Sequence, residues 1–346
     1  MRTSCTVLLL LLHCVSTAGP AASQEVAVEV ATELAESDTA VLAELTPVEL
    51  FLRASSSALQ FEHMREPSRR ILVSNHEESL PYLVTRLDTD DARERHALED
   101  ILVRIGPAAA EPVIEAFLFE AGRTETTRGA RLAAAVLGRI GETCAVDPLA
   151  SVHDHRDWKL RGAVGGALGR IGTAETVHPL VSLLTDENEV VRKSAAVGLR
   201  RVAVRARDDE APDPDAAAAL DTDVIESLAR ALGDPNYAVR YSSADALARI
   251  GETALPLLFE IGEGEAIEAR LMALRAIGKV GSRKALEPLA RALRDSDWAV
   301  RAHAAAAIGT IGADRRGRRA LERLVASDPH PFVVASAAAA LDSEDR

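Results

Sequence analysis

DWKLRGAVGGALGRIG, residues 157–172, holds the pattern from which the rest of the chain can be read. Arg161 stands eleven residues before Gly172, and the apolar residues between them recur with a helical period of about 3.6. A glycine just past the last turn is the usual left-handed stop of a helix, and an Asp before the first turn is a good N-cap. The stretch therefore predicts one capped helix.

The closing phrase recurs as ILVRIG, VLGRIG, ALGRIG, GLRRVA, ALARIG, AIGKVG and AIGTIG. Its last residues are Gly106, Gly141, Gly172, Ala203, Gly251, Gly281 and Gly312, so the spacings are 35, 31, 31, 48, 30 and 31. A period of about 31 residues is that of a repeat built from one supersecondary unit. The Arg recurs as Arg95, Arg161, Arg192, Arg240, Arg270 and Arg301, with Ala130 as the exception. Ahead of each Arg lies a short acidic turn, such as DENEVVR or DSDWAVR, and ahead of the turn a stretch opening with Pro, as in HPLVSLL and EPLARAL. Proline is tolerated in the first turn of a helix, where its missing N–H is not needed. Each unit reads as helix, turn, second helix and glycine loop.

The combination of Pro-Leu, acidic turn, Val-Arg, Ala-rich helix and Ile-Gly resembles the HEAT family, specifically the short bacterial HEAT-like repeats first associated with phycobilisome lyases, over roughly Leu80 to Leu341. The resemblance implies an all-α, right-handed α-solenoid of about seven to eight HEAT-like helical hairpins. The expected organisation is a signal peptide over 1–23, an N-terminal segment with a capping helix over 24–75, and a HEAT-like repeat array over 76–346 with an acidic insertion at about 204–222. Thr46 to Met64 reads as the capping helix, and the Pro- and Asp-rich insertion as a solvated loop.

The N-terminus, MRTSCTVLLLLLHCVSTAGPAASQ, has one Arg, an apolar run and then small residues, which reads as a cleaved signal peptide cut near Ala18 or Ser23. A periplasmic or secreted location in a bacterium is the expectation. No later stretch reaches the ~18 apolar residues of a membrane-spanning helix. A lipid anchor at Cys14 is disfavoured because His13 replaces the small residue that such a site uses. With Cys5 and Cys14 removed, Cys144 is left as a single thiol, read as buried.

The chain carries 53 Asp and Glu against 40 Lys and Arg, a formal net charge of −13 that repels phosphate backbones and argues against nucleic-acid binding. The resemblance also raises the di-iron chemistry of deoxyhypusine hydroxylases, held by paired His-Glu motifs. Here His76-Glu77 is the only such pair, so no metal, cofactor or catalytic residue is assigned. His153-Asp154-His155 and the insertion's Asp208, Asp209, Glu210, Asp213 and Asp215 read as solvated turns rather than metal sites.

Stacked units turn one repeat position into a row of like residues across the surface. Three residues before the repeat Arg stand Trp158, Tyr237 and Trp298; two residues before the terminal position stand Arg104, Arg139, Arg170, Arg201, Arg249 and Lys279, with Thr310 in the last copy. The resemblance implies that the aromatic positions lie near the concave surface used for binding. The cations sit where a helix dipole favours them, by roughly 0.3–1 kcal/mol each, and can still offer outer donors to a carboxylate-rich partner. The acid or amide four residues before the repeat Arg (Asp91, Asp157, Asn188, Asn236, Asp297) reads as its partner in an internal ladder, and Arg315, Arg316, Arg318 and Arg319 read as a basic loop. The function read from these features is a non-catalytic scaffold that binds another protein; the alternative is a metal-dependent or lyase-like enzyme on the same repeats.

Overall fold

The structure, a computed structural model, describes residues 41–123, 127–208 and 211–342. Among these residues every regular element is helical. The chain divides into two compact units at Ala109/Ala110.

In the first unit, α1 (Pro47–Ser55) opens with a reciprocal capping box between Thr46 and Glu49. The expected single helix over Thr46 to Met64 is instead α1 followed by a 3₁₀ turn, Leu59–Met64, because Ser56 and Ala58 are extended. Three helices follow: α2 (Arg65–Ser74), α3 (His76–Thr85) and α4 (Ala92–Ile105). Phe51, Leu72, Leu83, Leu98 and Ile101 are fully buried among them, and Phe51 meets Tyr82 edge-on at 6.0 Å. The Arg69 guanidinium ties the end of α1 to α4, donating to Ala54 O at 3.2 Å and pairing with Asp100 at 3.2 Å.

The second unit is a solenoid of seven hairpins. Their first helices are α5 (Ala110–Ala121), α7 (Val146–Ala150), α9 (Val177–Leu183), α12 (Thr222–Arg230), α14 (Leu255–Gly262), α16 (Leu286–Ala292) and α18 (Arg315–Ser327). Their second helices are α6 (Arg128–Ile140), α8 (Trp158–Ile171), α10 (Glu189–Ala206), α13 (Tyr237–Ile250), α15 (Ile267–Val280), α17 (Trp298–Ile311) and α19 (Pro331–Asp342). A short helix, α11 (Pro214–Ala219), lies within the insertion, where Asp213 accepts from Ala216 N–H and Pro214 opens the first turn. This part of the insertion is therefore helix rather than loop; Asp209 and Glu210 lie outside the described residues.

Successive second helices run against one another, whereas successive first helices touch at few points. Small residues make the close approach. A Cβ on Gly169 would lie 2.5 Å from Gly198 Cα, and one on Gly138 would lie 2.6 Å from Ala167 Cα. Gly141 and Gly172 close their helices in the left-handed region that L residues avoid. Where Ala203 replaces glycine that stop is lost, and α10 runs on to Ala206.

The repeat Arg binds differently from the expectation. The residue four positions earlier caps its own helix: Asp157, Asn188, Asn236 and Asp297 each accept from the N–H two residues on. The Arg instead reaches into the next hairpin. Arg161 grips Asp186 with Nε and Nη2 at 2.6 and 2.8 Å, Arg192 grips Asp234 at 2.6 and 3.2 Å, and Arg301 grips Asp328 at 2.8 and 3.0 Å. Arg270 pairs with Asp295. With Nη1, Arg161 also donates to His155 O of its own turn at 2.7 Å, and Arg301 to Asp295 O at 2.8 Å. Each receiving Asp also accepts from the N–H two residues later, as Asp186 does from Asn188 at 2.7 Å. A carboxylate two residues before the cap thus satisfies a turn and a neighbour at once. Its distance along the chain hides this pairing from a local reading.

Among the described residues of the second unit the ladder is interrupted twice: Ala130 leaves the first hairpin without the Arg, and Arg240 finds no Asp ahead of it. Arg240 donates to Asp234 O and Pro235 O of its own turn, but the next turn, Glu263 to Ala266, offers no Asp, and Arg240 Nε is buried without a partner. The same turn lacks a capping side chain, since Ala266 stands at the N-cap of α15.

Two further expectations are corrected. Cys144 is exposed, because it sits in a one-turn 3₁₀ segment, Thr143–Ala145, whose buried residue is Ala145. Arg315 to Arg319 open α18 rather than a loop, since Asp314 caps that helix through Gly317 N–H. In the turn before α8, His155 Nδ1 accepts from Asp157 N–H at 3.0 Å, filling the place that Asp186, Asp234, Asp295 and Asp328 take in later turns.

Candidate interaction surface

Residues four apart on a helix lie on one face. On the second helices one such stripe is turned to solvent: Trp158, Gly162, Gly166 and Arg170 on α8; Glu189, Lys193, Val197 and Arg201 on α10; Tyr237, Tyr241, Asp245 and Arg249 on α13; Ile267, Leu271, Arg275 and Lys279 on α15. Within the second unit, the two rows noted in the sequence are the opposite ends of this stripe.

At the starting end, Trp158, Tyr237 and Trp298 are 38%, 58% and 43% exposed. They do not form one continuous row, because Glu189 and Ile267 occupy the intervening units. Trp158 is flanked by Lys159, and Tyr237 leans on Tyr241 with ring centroids 5.9 Å apart. Trp298 stacks on His330 at 4.0 Å, the planes 10° apart, and lies 5.9 Å from Phe332, which is 66% exposed. Phe332 escaped the sequence reading because the last unit lacks the repeat Arg that sets the register. Its place beside Pro331, at the start of a second helix, is the signal that finds it.

At the finishing end the cations divide. Arg104, in the first unit, pairs with Glu66 at 3.1 Å and Asp100 at 3.4 Å, and its pKa is raised chiefly by the Glu66 hydrogen bond. Arg139 is exposed at the end of α6. Lys279 pairs with Asp245 at 2.6 Å. Arg170, Arg201 and Arg249 are exposed, and among the described residues none has a carboxylate within ion-pair distance. Burial lowers the Arg201 pKa first, and the neighbouring charges of Arg170 and Arg200 lower it further. Arg200 belongs to this cluster although the sequence reading passed over it; its Nε is buried without a partner.

Among the described residues no group of three His, Cys, Asp or Glu side chains is placed to hold a metal ion, and no helix is long and apolar enough to cross a membrane.

Family models for HEAT repeats match residues 115–200 and 262–342, and one for a single HEAT repeat matches 224–254. The chain belongs to the HEAT-repeat family. It is 29% identical over 171 residues to an uncharacterized phycocyanin operon protein Z of Pseudanabaena tenuis, an alignment that covers 48% of this chain and 79% of that protein. Among solved structures, yeast importin-beta (Kap95p) superposes with a TM-score of 0.54 at 12% identity, over 99% of this chain and 48% of the importin. The chain thus spans about half the length of that protein, and the likeness is one of fold. The CpcE–CpcF complex of phycocyanin lyase from Nostoc sp. gives a TM-score of 0.37 at 19% identity, over 70% of this chain and 92% of that one.

Proposed function

We propose that this HEAT protein is an exported, non-catalytic scaffold that holds a partner protein along the solvent-facing stripe of its second helices. The observation that carries this reading is the stripe itself: large aromatic side chains left exposed at its start and unneutralised arginines at its end, on a surface that stacking makes continuous. Exposed Trp, Tyr and Arg are the residue types that anchor interfaces. Within the second unit, the close spacing of the second helices and the sparse contact of the first ones favour the second-helix side as the inner side of a bend. Export rests on residues 1–23.

The test is affinity capture from the exported fraction of the source cells, with the mature protein and with a Trp158→Ala, Tyr237→Ala, Trp298→Ala variant of unchanged helicity, followed by titration of the purified partner. A partner held by the first and released by the second supports the reading. Stoichiometric iron or zinc in the purified protein would favour the enzymatic alternative. A protein whose N-terminus remains Met1 in the cytoplasmic fraction would remove export.

A further inference from the structure

The insertion builds something that the regular units do not have. With glycine absent at position 203, α10 overruns its neighbours and carries Arg207 past the usual helix end. Together with α11, α12 and the end of α13, this extension borders a half-open cavity of about 290 Å³ whose lining is mainly apolar, with Ala203, Ala206, Leu220, Ile225 and Ile250 beside a few polar residues. Arg207 and Arg249 line both this cavity and an adjoining groove of about 770 Å³, whose lining also includes Arg200, Val204, Asp245 and Lys279.

The carboxylates at this place are already engaged. Asp245 is held by Lys279 at 2.6 Å and lies 3.7 Å from Arg275; Asp221 caps α12 through Val224 N–H, and Asp208 accepts from Ala211 N–H. Arg200 and Arg249 have no carboxylate within ion-pair distance among the described residues, Arg207 shares the charge of Glu252 with Lys284, and Arg170 and Arg201 adjoin Arg200 along the same end of the stripe. An apolar cavity beside several unneutralised guanidinia, on a chain of net charge −13, is a local reversal of the protein's field.

We propose that this groove binds a short carboxylate-rich peptide segment of the partner, one of whose apolar side chains enters the cavity between α10, α11 and α13. The proposal rests on the protein-binding reading above and names the chemistry of what is bound. Packed helices lie about 8–10 Å apart, and three residues of extended chain cover roughly 10 Å, so a carboxylate at every third position meets successive second helices at Arg170, Arg201 and Arg249. The planar guanidinium fork matches carboxylates in pairs. A long polyanion fits less well, since it runs beyond the patch into acidic surface within a Debye length of about 8 Å.

The experiment is fluorescence anisotropy of the full chain with a fluorescein-labelled peptide of repeating Glu-Ser-Leu. Its companions are the same peptide with Lys for Glu, the same peptide with Ser for Leu, and an oligothymidylate. Binding of the Glu-Ser-Leu probe is expected to weaken by about tenfold or more in R201E/R249E, to recover largely in R201K/R249K, and to persist in R316E/R319E, which alters a remote basic surface by the same charge. The Ser-for-Leu probe is expected to bind several-fold more weakly, and Ala217→Phe, which narrows the cavity, to abolish that difference. The inference falls if the acidic probe does not bind, if R201E/R249E leaves its affinity unchanged, or if oligothymidylate binds as tightly. If the captured partner depends on the aromatic residues while the acidic probe fails, only this inference is lost and the scaffold reading stands.

Discussion

Two glycines three residues apart in α8 predict opposite outcomes for one substitution. At Gly166 an added Cβ would meet only Arg170 Nη1, at 3.9 Å, an ordinary contact. At Gly169 it would lie 2.5 Å from Gly198 Cα, which is backbone of the adjoining helix and has no side chain to move aside. Replacing glycine by alanine within a helix gains roughly 0.5–1 kcal/mol through the lower entropy of the unfolded chain. Gly166→Ala should realise most of that gain. Restoring an ordinary carbon contact at Gly169 requires α8 and α10 to part by about 1 Å, and overpacking of this kind costs about 1–3 kcal/mol. With the propensity gain deducted, Gly169→Ala should be destabilised by up to about 2.5 kcal/mol. Urea unfolding followed by far-ultraviolet circular dichroism reads both, with midpoints compared where the transition slopes agree. If Gly169→Ala matches or exceeds the unmodified protein, or if Gly166→Ala loses stability, second-helix contact is not the close packing that sets this stack.

The other expectations concern the ladder and its gap. Arg161→Met leaves Asp186 buried without its main partner and should cost about 3 kcal/mol in urea unfolding, whereas Arg240→Met forfeits two carbonyl bonds and a cation–π contact with Tyr237 and should cost about 1–2 kcal/mol; equal losses would mean that the inter-repeat pairing adds nothing. For Asp186, burial acts to raise the pKa, but hydrogen bonds from Arg161 and Asn188 N–H outweigh it and hold the pKa below 3.8; for Asp328, the Arg301 hydrogen bond is the largest cause of the same lowering. A carboxyl lowered by folding stabilises the native state above its unfolded pKa, so this contribution should be intact above about pH 5 and drain as the pH falls through about 4 and below. Asp186→Asn should flatten that acid limb of a thermal-melting series, and an unchanged limb would contradict the assignment. Ala266→Asp supplies the missing cap of α15 and should stabilise by about 0.5–2 kcal/mol; a neutral or negative effect on the urea midpoint would show that the turn cannot accept a cap.

The hairpins were legible because their signals are local. Arg161 to Gly172 lie in one helix, Asp157 is next to the turn it caps, and Gly172 needs its positive φ within one residue of the helix end. The partner of Arg161 was not legible, because Asp186 stands 25 residues away and a nearer acid, Asp157, fits the same charge rule. Of the candidate surface, the two ends of the stripe were visible as repeated positions. What they touch was not: only folding separates Lys279, neutralised by Asp245, from Arg249, which has no such partner among the described residues. The groove beside the insertion had one sign in the sequence, alanine where glycine recurs, but its walls come from four consecutive helices whose mutual packing no local pattern sets.

The forward reach of the arginine gives the third, fourth and sixth hairpins of the second unit a plug at one side and a socket at the other. Such a hairpin copied into the middle of the stack brings one of each, so every existing joint keeps its match and the newcomer's two joints are matched at once. Length can then change by whole units during descent without any compensating substitution. The joints after Ala130, where the plug is missing, and after Arg240, where the socket is missing, are where that interchange would fail, which gives the array two fixed seams.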